Sequence, residues 1–185
     1  MISRVYAYIA GTLLLVVFVA FRIVKHKDIN RTVLISCFIL YLTAIAAITL
    51  FPIYYSHSMY GAGKTLKNAV QLKPFRTISP ILKYGSNKLI TEQIFCNVIM
   101  TLPFGIMFPM ILKRRKPYIC LPFMIIFPLL IEGMQLLLGM IAGTYYRMCD
   151  IDDVILNTLG AAVGYIIYIV FSFICSGYYS SSEKS

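Results

Sequence analysis

Apolar positions along the chain gather into five long runs separated by polar segments. The first extends from Val5 to Val24 and the second from Thr32 to about Tyr54, with Pro52 near its end. The third covers about Glu92 to Leu112, the fourth Tyr118 to about Met140, and the fifth begins near Asp150 and ends near Cys175. Each approaches the ~20 residues that a helix needs to cross a hydrocarbon core about 30 Å thick. The short alternating segments of a β-barrel are absent from the sequence. The pattern predicts an all-α polytopic membrane protein with about five transmembrane helices. The first run has too long an apolar stretch for a signal peptide, and no small-x-small site precedes Arg22, so it is kept as a spanning helix.

Several small residues punctuate the runs. "LPFG", Leu102–Gly105, interrupts the third, and Pro103 with Gly105 predicts a kink there. Gly160 and Gly164 form a GxxxG pair, which lets one helix approach another closely. Residues 56–91 are the longest polar stretch, with two glycines at its start, Pro74, Pro80 and six basic residues. Its "LKPFRTISPILKYG" is partly apolar, which predicts an interfacial or re-entrant piece of an external loop. The expected organisation is two N-terminal helices in 1–55, that loop in 56–91, a three-helix core in 92–175, and a fraying Ser- and Tyr-rich tail in 176–185. No internal repeat is evident.

Composition agrees with the membrane assignment. The chain is 59% hydrophobic and 13% charged, where a soluble domain carries about 25% charged residues. Its net charge of +10 comes from basic residues in the gaps between apolar runs. That suits cytoplasmic loops and anionic headgroups rather than nucleic acid. The densest clusters, 22–31 and 113–116, belong on the cytoplasmic side by this rule, which places the N-terminus outside and the C-terminus inside. The basic external loop 56–91 runs against the same rule. The five cysteines form no CxxC, and their odd number argues against a complete disulfide framework. His26 and His57 lie far apart, so no His-based metal site is expected.

The acids are distributed unevenly. Of seven in the chain, three fall within "GTYYRMCDIDDVILNTLG", residues 143–160. On the five-span topology, Glu132 lies about 21 Å above the start of the fourth helix at ~1.5 Å per residue. Gln135 shares its face. The third and fifth helices run the other way, which brings Asn97 and Asp150, Asp152, Asp153 and Asn157 to the same outer depth. Reversing the topology changes the side and not the clustering. Ionisable groups within spans are costly and usually face a partner or a cavity; Arg147, in the next loop, is the expected partner of Glu132. The plainer alternatives are helix capping for the aspartates, foremost Asp152, a structural ion pair for Glu132, and interhelical hydrogen bonds for Asn97 and Asn157. Tyr145 and Tyr146 fit an interfacial aromatic belt. No nucleotide-binding loop, nucleophile elbow, zinc-protease or EF-hand motif occurs.

"NVIMTLPFG", "EGMQ" and "RMCDIDDVILNTLGAAVG" resemble the VanZ-like family of bacterial membrane proteins. The matching positions are Asn97, Pro103, Phe104, Gly105, Glu132, Gln135, Arg147, Asp150, Asp153, Asn157, Gly160 and Gly164. "QLKPFRTI" resembles a further element of that family in Pro74 and Phe75, with Gln71 where the family has asparagine. The resemblance covers about residues 70–170, and residues 1–55 carry no assignable motif. It implies a bacterial plasma-membrane protein of the cell envelope with a link to teicoplanin, the glycopeptide antibiotic after whose resistance protein the family is named.

Two functions follow as expectations. In the first, a non-enzymatic envelope protein binds a lipid-linked cell-wall precursor, a headgroup or a glycopeptide at the outer side and contributes to glycopeptide resistance. Asn97, Gln135, Arg147, Asn157 and Arg76 are its ligand-binding candidates, with basic residues of the 56–91 loop contacting phosphate or carboxylate. In the alternative, an intramembrane enzyme acts on a lipid or glycan. Glu132 is then a general acid or base, and Asp150 and Asp153 supply a second acid/base position or ligands for a divalent cation. No other cofactor is evident. Transport fits poorly, because inverted repeats are missing.

Overall fold

The computed structural model describes residues 2–53, 69–113, 116–142 and 149–182, with side chains to Cys175 in the last stretch. Helix α1 spans Arg4–Val24 and α2 spans Ile29–Thr49. A two-residue strand β1, Val70–Gln71, is followed by the short helices α3, Ile78–Tyr84, and α4, Asn87–Ile90. A π-helical turn, Thr91–Phe95, joins α4 to α5, Cys96–Leu112. Then come α6, Pro117–Ile141, strand β2, Cys149–Asp150, and α7, Ile151–Ser182. Five helical segments are long and apolar enough to cross a membrane: α1, α2, Asn87–Leu112, α6 and Ile151–Cys175.

Local chemistry sets the boundaries where they differ from the apolar runs. Asp28 caps α2 through its Asn30 N–H bond of 3.1 Å, so the helix starts at Ile29 and not at Thr32. It stops at Thr49, ahead of Phe51 and Pro52. The third span starts at Asn87, where the Ser86 hydroxyl accepts from the Leu89 N–H, five residues before the acid that opens the apolar run. Helix α5 continues through Pro103 and Pro109, and α6 through Pro122 and Pro128; inside a helical bundle, neighbouring groups can satisfy the freed backbone. The Tyr41 hydroxyl of α2 donates to the Met100 carbonyl, three residues before Pro103, at 2.9 Å. Helix α7 extends past Cys175 to Ser182, so part of the expected fraying tail is helical.

Two parallel helices form the centre. The Asn97–Asp153 and Thr101–Asn157 hydrogen bonds both join residues 56 apart, a constant offset that makes α5 and α7 run the same way in register. Their backbones nearly touch. A Cβ on Gly105 would lie 2.0 Å from the Ala161 carbonyl oxygen, and one on Gly160 would lie 2.0 Å from that of Val98. Lipid supplies no hydrophobic drive between helices, so such contact and the polar bonds carry the association. Antiparallel to this pair, α6 adds Cys120 and Met124 to a core of Phe104, Ala161 and Tyr165. Phe104 stacks on Phe127 with ring centroids 4.0 Å apart. From the other side α2 contributes Phe38, 6.0 Å from Phe104. The outer faces of α1, α5, α6 and α7 expose residues such as Leu13, Ile99, Leu130 and Phe173, as lipid-facing surfaces do.

Candidate functional site

Strands β1 and β2 pair in parallel, Val70 with Cys149 and Gln71 with Asp150. This contact draws the segment between α2 and α3 down to the start of α7. The same level is marked by Glu132, whose Oε2 accepts the Asp150 N–H at 3.1 Å. Glu132 lies nine residues before the end of α6 and Asn97 ten after the start of α4, so the cluster sits about 13–15 Å inside those helix ends. The segment Val70–Ile78 is therefore re-entrant. The basic linker between α1 and α2, and Lys113 and Lys116 between α5 and α6, occupy the opposite end of the bundle.

Asp152 has 0% exposure and collects three backbone N–H groups. Its Oδ1 accepts from Phe75 at 2.5 Å, and its Oδ2 from Thr77 at 2.7 Å and Ile78 at 3.1 Å. These donors converge because Phe75 adopts the left-handed conformation, with φ 63°, forming an anion-binding concavity of successive amides. Thr77 gives its own helix no side-chain cap, so Asp152 supplies the negative charge at the N-terminus of α3. The Thr77 hydroxyl donates instead to Asp150 Oδ2 at 2.5 Å. Asp150 Oδ1 accepts from the Asp152 N–H at 2.9 Å and from Gln71 Nε2 at 3.3 Å. The cap of α7 is thus Asp150, while the residue expected to cap it, Asp152, caps α3 from across the fold.

Other candidates are distributed around this clamp. Asp153 accepts from Asn97 Nδ2 at 2.8 Å. Gln135 donates to the Thr49 carbonyl at 3.1 Å and ties α6 to the end of α2. Asn157 is 1% exposed; its carbonyl accepts from the Thr101 hydroxyl at 2.6 Å, and its Oδ1 has no partner among the described residues. Gln71 bonds the Lys73 backbone through both side-chain ends, at 2.6 and 2.7 Å. Pro74, Phe75, Lys73 and Arg76 are exposed on the re-entrant turn. Pro103 and Gly105 lie within α5, Gly105 against α7 with Gly160 and Gly164. Arg147, Tyr145, Tyr146, Lys64 and Lys67 lie outside the described residues.

The electrostatics are those of a carboxylate web serviced by amides and hydroxyls. Burial pushes the Cys149 thiol above its ordinary range, and the nearby Glu132, Asp150 and Asp153 carboxylates push it the same way. Among the described residues, no group of three or more His, Cys, Asp or Glu is arranged to hold a metal ion. Sequence reasoning missed Thr77, Thr49 and Thr101 and the reach of Asp152. The only signal for the first was its place in "KPFRTIS", between a turn-forming proline and a helix start.

No curated protein and no solved structure matches the chain. A family model described as VanZ/LLP1 matches residues 38–172. That span covers the second half of α2, the re-entrant turn, the clamp and α7 as far as Ser172, and with it this multi-pass membrane protein belongs to the VanZ/LLP1 family.

Proposed function

We propose that the protein is a non-enzymatic cell-envelope component that binds the phosphate-bearing headgroup of a lipid-linked cell-wall precursor at the outer face of the plasma membrane, and so contributes to glycopeptide resistance of the teicoplanin type. One observation carries this reading: the buried carboxylates hold the re-entrant turn in place, and the turn displays Lys73 and Arg76 outward. A guanidinium and an ammonium on a rigid backbone suit phosphate recognition. Arg147, two residues before β2 in the sequence, is a third basic candidate. The positive-inside rule supports a cytoplasmic side for the two basic linkers, and with it an outside N-terminus and a clamp at the outer leaflet.

The enzymatic alternative draws less support. A general acid or base must reach the substrate proton, whereas the oxygens of Asp150 are engaged by Gln71, Thr77 and the Asp152 N–H, and Asp153 Oδ1 accepts from Asn97. Glu132 accepts the Asp150 amide. These contacts fit positioning better than proton transfer.

The test is binding of fluorescent polyprenyl-diphosphate-linked precursor to the purified full chain. Arg76→Ala is expected to weaken binding about tenfold, the equivalent of one charge-assisted hydrogen bond of ~1.5 kcal/mol, and a deletion strain is expected to become more sensitive to teicoplanin. Equal affinity in wild type, Arg76→Ala and Lys73→Ala would overturn the reading.

A further inference from the structure

A second site lies outside the clamp, on the flank formed by the first two helices. Between α1 and α2 runs a groove of about 840 Å³. Its mouth is formed by Ile2 and Ile53, its walls include Ala7 and Ala10, and it reaches Leu14 and Ile39. Ile2 and Ile53 are joined by backbone hydrogen bonds of 2.8 and 3.0 Å, which fixes the mouth at the end of the bundle that carries the clamp. From Ile2 to Leu14 is twelve residues, or about 18 Å along the helix. One leaflet of hydrocarbon is about 15 Å deep, half of the ~30 Å core. The groove thus has the length of a lipid tail anchored at that surface.

Its capacity and its rim narrow the occupant. A methylene is similar in size to a water molecule, whose share of liquid volume is ~30 Å³, so the groove holds on the order of 28 methylenes. That is about the two tails of one diacyl lipid. At the mouth stands Arg4, exposed, with its Nε donating to the Phe51 carbonyl at 3.4 Å. Phe51 lines the groove, so that bond ties the guanidinium to its rim, within reach of a phosphate at the mouth.

We propose that the α1–α2 groove binds one anionic diacyl phospholipid of the leaflet on the clamp side, its tails between the helices and its phosphate on Arg4. All of α1, Arg4 included, lies outside the residues matched by the family, and the site is independent of the precursor site proposed above.

Native mass spectrometry of the full chain, released from detergent with equimolar phosphatidylglycerol and phosphatidylcholine, tests the proposal. Wild type should retain one lipid, with phosphatidylglycerol preferred about fivefold, the worth of one basic residue at a membrane surface. Arg4→Gln should remove the preference and keep a bound lipid. Ala10→Phe, which fills the groove, should lower retention of both lipids at least fivefold; Ala7→Leu provides a second, smaller obstruction, and circular dichroism verifies the helical content of each variant. Equal retention of the two lipids by wild type, an unchanged preference in Arg4→Gln, or full retention in both folded groove variants would overturn the proposal. So would a wild-type dimer that Ala10→Phe dissociates, since a second copy would then occupy the groove.

Discussion

Replacing Asp152 by asparagine isolates the clamp. The side chain keeps its shape and loses its charge, and one of its two acceptor oxygens becomes an NH2 donor. In the native protein Oδ1 serves the Phe75 N–H, and Oδ2 serves Thr77 and Ile78. An asparagine can direct its remaining oxygen to one set only, and its NH2 group then faces donors of the other set. A hydrogen bond to a charged group is worth about 1.5–3 kcal/mol, and a neutral one 0.5–1.5 kcal/mol. Losing one charged bond outright and weakening the others costs about 3 kcal/mol, which corresponds to a roughly 150-fold rise in local opening. Hydrogen exchange followed by mass spectrometry reads this directly on the amides of Phe75, Thr77 and Ile78. Exchange there should accelerate about 100-fold or more in Asp152→Asn, with the α7 amides around Ala161 unchanged. Asp153→Asn is the comparison: it retains an oxygen for Asn97 Nδ2, and exchange at 75–78 should stay within about threefold of wild type. Exchange in Asp152→Asn within the same margin would refute the clamp as the support of the turn.

Two further outcomes are expected. Gly105→Ala drives a methyl toward the Ala161 carbonyl and should cost about 1–3 kcal/mol, lowering Tm in detergent by several degrees, whereas Gly133→Ala, with nothing within 4 Å of its Cβ, should leave Tm unchanged; equal Tm values would sink the close α5–α7 contact. Cys149, its pKa raised by burial and three carboxylates, holds less thiolate at neutral pH than an ordinary thiol, so its alkylation by iodoacetamide, followed on its own peptide, should still be rising steeply above the usual midpoint of about 8.5; a midpoint at or below that value would contradict the placement.

The helical part of this architecture was legible because a bilayer imposes it. Runs of about 20 apolar residues have few alternatives to a spanning helix, and five such runs yield five such helices. The clustering of Glu132, Gln135, Asn97 and the aspartates was likewise accessible, because helix rise and alternating direction convert sequence position into depth. What escaped was the partner of each acid. Asp152 bonds to the backbone of Phe75, Thr77 and Ile78, and a backbone amide has no sequence identity. Its convergence on the acid depends on the positive φ of Phe75, at a residue type that gives no warning of it. The use of Gly105 escaped for a related reason. Gly105 serves the approach of α7, and that neighbour lies more than fifty residues away in the chain.

The distance along the chain between the two halves of the clamp has a consequence for biogenesis. Phe75 and Asp152 are 77 residues apart, and α5 and α6 are both synthesised before Asp152. Until then the turn carrying Arg76 has no anchor, and three of its amides lack their acceptor. The outward display of that turn is accordingly the last part of the molecule to be completed, and a chain arrested before its final helix would reach the membrane with four spans and no working face.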